Sequence, residues 1–304
     1  MSQPFFYCSE LSRRLAEKTY GTASTGDVWL LIEYPFAWAS KAFQESILST
    51  GVKAHLNKLI KSIPRMKLLF IKRERVKDGA FNVFLVRCRE RHPSIVHFGI
   101  RDYEQLLALD AASILAGGAL PGASVFDAPL YLVCTHGKRD KCCAKFGYPL
   151  YKVLRSTCGD SAVWQSSHVG GDRFAANLIC FPHGLFYAHV TEETGRTMID
   201  EYAQRRLVLE KYRGRACYSH HVQAAEFFIR SESALTGIDE LHFLNSERVA
   251  EKRWRVRFST PDGETVHEAL VSSAMSDFQS YTTCHSTEET RVSQYLLDEY
   301  RASG

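Results

Sequence analysis

Apolar residues fall in short blocks along the first third of the chain. "DVWLLIEY" (27–34) is almost continuously apolar and reads as a strand, while "SKAFQESILSTGVKAHLNKLIKS" (40–62) reads as one or two helices broken near Gly51. "KLLFIKR" (67–73), "FNVFLVRC" (81–88) and "SIVHFGI" (94–100) predict three more strands, with turns at "KDGA" and "ERHP". "RDYEQLLALDAASILA" (101–116) predicts a helix carrying Leu106, Leu107, Leu109, Ile114 and Leu115. The Gly/Pro-rich "GGALPGAS" (117–124) then predicts a linker.

Past that linker, "DAPLYLVC" predicts a strand and Pro149 suits the first position of a short helix with Leu150, Val153 and Leu154 on one face. "SAVWQSSH" (161–168) predicts a second strand, "NLICFP" and "LFYAHV" a hairpin across "HG", and residues 193–215 a helix ending at Gly214. Strand, helix, strand, hairpin and helix is a thioredoxin-like order. The expected class is therefore α/β (α+β mixed), and a similar order in the first segment suggests a degenerate duplication. A helix at 219–230 capped by Ser219, a hairpin turning at "PDGE" and a polar tail complete a small α+β extension. Three consecutive segments are expected: 1–122, 123–215 and 216–304.

The 304 residues are 45% hydrophobic and 24% charged, normal for a globular protein, and no apolar run reaches the ~20 residues of a membrane span. The N-terminus lacks the pattern of a secretory signal, so a cytoplasmic location with reduced cysteines is expected. Nine irregularly spaced cysteines do not form a disulfide framework. The net charge of +4 is mild, but Lys58 to Arg91 holds eleven Lys or Arg against Glu74, Asp78 and Glu90. That stretch reads first as a solvated surface and second as a docking face for an acidic partner. No aromatic-interleaved motif supports nucleic acid.

The densest chemistry is "CTHGKRDKCC" (134–143). Cys134 closes a strand, Cys142 and Cys143 are expected on the loop before the next helix, and the basic residues around them favour thiolate, the form that ligates or attacks. Such a loop serves a metal, an iron–sulfur cluster, disulfide exchange or an anion, or is a polar turn with inert thiols. A second cluster, "SSHVGGDRFAAN", sets His168 and Asp172 four apart around two glycines, which permit a sharp turn that aims both side chains at one centre.

These stretches, with "TGDVWLLIEYPFAWASKAFQES" upstream and "HHVQAAEFFIR" downstream, resemble the sucrase/ferredoxin-like family over most of residues 7–232. The resemblance implies a thioredoxin-like ferredoxin domain holding a 2Fe–2S cluster. Carried over by position, the ligands are Cys134, Cys143 and His168, with Asp172 where the family's second histidine stands. A carboxylate is a harder ligand than thiolate or imidazole, so Cys142, Cys180, Cys217 and Cys284 are spare candidates for the fourth place. The implied role is electron transfer or redox sensing with a reductase or electron-acceptor protein as partner, rather than an enzyme with its own substrate. No glycosidase pair of carboxylates is suggested. The alternatives are a thiol–disulfide oxidoreductase, for which the C-x-x-C is missing, and a tetrahedral zinc site.

Overall fold

The computed structural model describes residues 6–74, 79–118, 120–159 and 161–304. They form two compact units whose segments alternate along the chain. One comprises Gly26–Val169 with Ile179–Gly184, the other the N-terminal segment to Thr25, Gly170–Leu178 and Leu185–Gly304. Sequence reading expects three consecutive segments (1–122, 123–215, 216–304) instead. The alternation has a local cause: in the second unit Thr22 N–H donates to the Arg213 carbonyl at 3.2 Å, tying the chain's start to a strand near residue 213.

The first unit is a mixed sheet with helices. Its strands are β1 (Val28–Glu33), β2 (Met66–Lys72), β3 (Phe81–Arg87), β4 (Ser94–Ile100), β5 (Ser124–Val125), β6 (Leu130–Cys134), β7 (Val163–Ser166) and β8 (Leu178–Phe181). Their order is β8-β6-β7-β2-β1-β3-β4-β5. β1 and β2 run parallel, as do β6 and β7, and β2 meets β7 antiparallel. A parallel pair with a third strand beside the first therefore occurs twice, as β2-β1-β3 and β7-β6-β8. The fold is mixed α/β.

Helix α2 (Thr50–Ser62) begins where the Ser49 hydroxyl accepts the Val52 N–H, and it buries Val52, Leu56 and Leu59, one face of a 3.6-residue period. These residues join Leu30, Ile32, Phe70 and Leu85 in one core. Each such side chain contributes about 1.5–3 kcal/mol on burial. Instead of one or two helices over 40–62 broken near Gly51, there is a single helix that starts at Thr50 and runs through Gly51, and residues 40–47 form turns and bends. The helix expected over 101–116 splits into a 3-10 turn, Tyr103–Ala108, and a short α3 (Ala111–Leu115), since Asp102 and Asp110 each cap a separate start. Part of the basic segment is engaged internally: Arg65 pairs with Asp27, Arg73 with buried Glu33, and Lys72 lies over the Trp38 ring at 4.2 Å. The "KDGA" turn lies partly outside the described residues.

The second unit holds α1 (Cys8–Arg14), β9 (Leu185–Tyr187), α5 (Glu192–Ala203), β10 (Tyr212–Arg215) and α6 (His220–Ser233). It also holds an antiparallel meander, β11 (His242–Ala250), β12 (Arg253–Ser259), β13 (Val266–Ser280) and β14 (Thr290–Ser303). Val222, Ala225 and Ile229 of α6 pack against Val256, Phe258, Ala269 and Val271 of that sheet. Two expectations are corrected. Residues 193–215 are not one helix: α5 ends at Ala203, and Gly214 sits in β10 at φ 140°, where a Cβ would lie 2.6 Å from the buried Gln223 side chain. The polar tail is the long strand β14, whose polar side chains pair across the exposed face, as Asp298 does with Arg253 and Ser272. Among the described residues no helix is long and apolar enough to cross a membrane.

Buried His189 lies with each ring nitrogen 3.4 Å from a hydroxyl, Nδ1 from Ser9 and Nε2 from Ser12. Burial, and then the charge of Arg13, lowers its pKa to about 3. The unfolded chain thus binds a proton that the folded one refuses between pH 6.5 and about 3. Stability contributed by neutral His189 is complete above pH 6.5 and should fall by about 1.4 kcal/mol per pH unit below it. Urea denaturation at pH 7 and pH 5 checks this, and a His189→Gln variant should lose much less over the same interval.

Candidate metal centre

The site is built where β6 ends and the next helix begins. That helix, α4, runs Lys141–Cys158, about two turns earlier than the start at Pro149 that the sequence suggests. Asp140 sets the start: fully buried, it accepts the Cys142 N–H on Oδ1 at 2.8 Å. Pro149 lies inside the helix, where it cannot donate to the Lys145 carbonyl. Cys142 and Cys143 are consequently not on a loop. They occupy the first turn, where the positive end of the helix dipole favours thiolate.

Gly147 fixes how close α4 lies to β6. A Cβ there would fall 2.0 Å from the Cys134 carbonyl oxygen, a backbone atom with little room to move. Only glycine allows this approach, one turn beyond Cys143, which brings Cys143 against the end of β6. Gly147→Ala should cost about 1–3 kcal/mol and reduce metal retention in the same protein. Thermal melting and metal analysis read the two effects, and a variant matching the wild type in both would mean that the close approach is not needed.

Sγ of Cys134, Sγ of Cys143 and an imidazole nitrogen of His168 all lie within 4.8 Å of one another. The two cysteines are buried and His168 is half-buried. Cys134 is held well below the usual thiol range. Hydrogen bonding with Cys143 is the largest cause, opposed by burial and reinforced by the His168 ring and the His136 backbone N–H. His136 arranges the histidine side of the site. Its Nε2 donates to the Ala39 carbonyl at 2.8 Å, which leaves Nδ1 to accept the His168 backbone N–H at 3.2 Å. Burial lowers the pKa of His136 and so keeps it in the neutral form these two bonds require.

Three of the four residues singled out in the sequence thus converge, and Asp172 is not in that group. Asp172 is buried and opens a 3-10 turn, Asp172–Phe174, in the second unit. Of the two glycines before it, Gly170 leaves room for the Ser24 hydroxyl and Gly171 for Arg213. A Cβ on Gly171 would meet that guanidinium at 2.6 Å, and Arg213 Nη1 donates to the Gly170 carbonyl and to Asn177 Oδ1. Of the spare cysteines, Cys142 is beside the centre but outside the group, and Cys180 is a core residue of β8 whose thiol burial pushes up. Cys217 is half-buried ahead of α6, and the Cys284 thiol meets that of Cys8 at 3.5 Å. Sequence reasoning missed His136 and Gly147. His136 stands in the same loop as Cys134, but nothing in its spacing distinguishes a ligand from a residue that orients one.

Two thiols and an imidazole are the donors that soft and borderline metals take, so the set can hold a metal ion. No curated protein and no solved structure matches the chain. The sucrase/ferredoxin-like family pattern matches residues 19–214, a span that includes both loops and stops short of "HHVQAAEFFIR". Cys134, Cys143 and His168 all lie inside that match, which covers more than half of the sequence, and the chain belongs to the sucrase/ferredoxin-like family.

Proposed function

We propose that the protein is a one-electron carrier or redox sensor whose 2Fe–2S cluster is held by Cys134, Cys143 and His168. The observation that carries this reading is the convergence of two buried thiols and one imidazole, with Cys134 already biased to thiolate. The cluster supplies reversible transfer of a single electron; everything else falls to the chain. Cys134 and Cys143 offer negative sulfur at the end of β6 and the start of α4. His168 contributes a neutral donor, and replacing thiolate by imidazole raises a cluster's potential. His136 fixes the backbone from which His168 extends. Lys138 and Arg139, exposed on the loop between Cys134 and α4, offer positive charge to an acidic redox partner.

One observation favours a second reading. Donors on a single zinc ion, at about 2.3 Å for sulfur and about 2.0 Å for nitrogen, lie within roughly 4.5 Å of each other. The closeness of the three donors suits one tetrahedral ion as well. Anaerobic purification followed by metal and acid-labile sulfide analysis separates the two. About two irons and two sulfides per chain, with visible absorption, support the electron carrier; one zinc and no colour replace it with a mononuclear site. A protein without metal overturns both. The same analysis on Asp172→Ala tests the fourth ligand expected from the sequence.

A further inference from the structure

One wall of the candidate centre is also the wall of a cavity. His136 and His168 line a space of about 410 Å³ within the first unit, in the size range of small-molecule sites. Its apolar lining is half-buried Ala42, Phe43, Ile60 and Leu68, backed by Met66 and Phe70. Phe70 and Met66 are buried, and Phe43 meets Phe70 edge-on at 6.1 Å. Exposed Lys41, Lys67 and Arg139 stand around the space, and none of the described lining residues is acidic. None of these three side chains makes an ion pair with a described residue. The nearby Glu45 carboxylate takes the backbone N–H of Lys41 instead.

We infer that this cavity binds a phosphorylated aromatic ligand of mononucleotide size. The apolar lining accepts a flat ring, and three cations uncompensated by lining carboxylates select a dianionic phosphate over a neutral head group. The volume admits one such molecule. A ring seated there lies against the two histidines of the centre, so a redox-active ring would be placed to exchange electrons with it. That last step rests on the proposed function; the binding does not.

The test uses the full-length protein as purified, with flavin mononucleotide and adenosine monophosphate as probes and riboflavin and adenosine as their uncharged controls. Fluorescence titration for the flavins and calorimetry for the adenosines should show one saturable site for at least one phosphorylated probe. Its uncharged control should bind at least tenfold more weakly. The double variant Lys41→Glu/Lys67→Glu should weaken the phosphorylated probe at least tenfold and leave metal content unchanged. Absence of saturable binding by both phosphorylated probes up to about 1 mM overturns the inference, as does equal binding of the controls. A metal-free protein that still binds the probe removes the electron-carrier reading and leaves the cavity's role standing.

Discussion

Replacing Cys143 with alanine is expected to leave the protein with about a tenth or less of the metal bound by the wild type. Losing even an outer partner of a ligand costs about 10–100-fold in affinity, and losing the ligand itself costs no less. Cys143 is both a donor within 4.8 Å of the other two and the main cause of the lowered Cys134 pKa, so its removal takes one thiolate and weakens the other. Cys134→Ala should do the same. Cys180→Ala is the control: it deletes an equally buried thiol, one that burial keeps protonated, and should change stability by about 1 kcal/mol while metal content is unaffected. Metal analysis of the purified variants decides the matter. Undiminished metal in both Cys134→Ala and Cys143→Ala would remove the centre from this part of the fold.

The reason these two residues were legible in the sequence is local. Three thiols in ten residues behind an apolar run is a signal that survives any error in element boundaries, and the β–α–β order around it puts Cys134 at a strand end and Cys143 just before the next helix. Local signals also misled. Pro149 was a good helix start by propensity, but the carboxylate of Asp140 captures the Cys142 N–H first and α4 runs straight through the proline. Gly214 had the look of a helix stop; its actual role is set by Gln223, which bonds the Ala23 N–H and the carbonyls of Arg215 and Tyr218.

What the sequence hid depends on contacts between distant residues. Nothing near Gly147 announces that a carbonyl thirteen positions earlier needs the space of its missing side chain. The glycines of "HVGGDR" looked like a device for aiming His168 and Asp172 at one point. Their tight neighbours are Ser24 for Gly170 and Arg213 for Gly171, which no periodicity links to them. The tail reads only as polar because β14 is exposed along most of its length, its side chains satisfied by pairs such as Ser273 with Ser293, so it lacks the apolar alternation that marks a strand with one packed face.

The largest stability effect is expected at Glu226, on the buried face of α6. Its carboxylate lies at zero exposure with two guanidinium groups, also fully buried: Arg230 Nε donates to Oε1 at 3.2 Å and Arg215 stands 3.7 Å away. Tyr212 donates its hydroxyl to Oε2 at 2.9 Å, and burial followed by the neighbouring carboxylate pushes that phenol well above its usual range. The arginines in turn donate to carbonyls, Arg230 to Leu235 and Gly237, Arg215 to Ile238, so α6, β10 and the loop after α6 are pinned to one acidic side chain. Two buried cations share a single counter-charge, and removing it leaves both uncompensated. Glu226→Ala should therefore destabilise by about 3–5 kcal/mol, the range for breaking a buried pair from one side. Glu226→Gln, which keeps the shape and deletes the charge, should incur most of that loss. Asp239→Asn, which breaks the exposed pair with Arg205, should change stability by less than about 1 kcal/mol. Urea denaturation of the three variants provides the comparison. If Glu226→Gln proved as mild as Asp239→Asn, charge compensation would not be what holds this network, and its hydrogen-bond geometry alone would be.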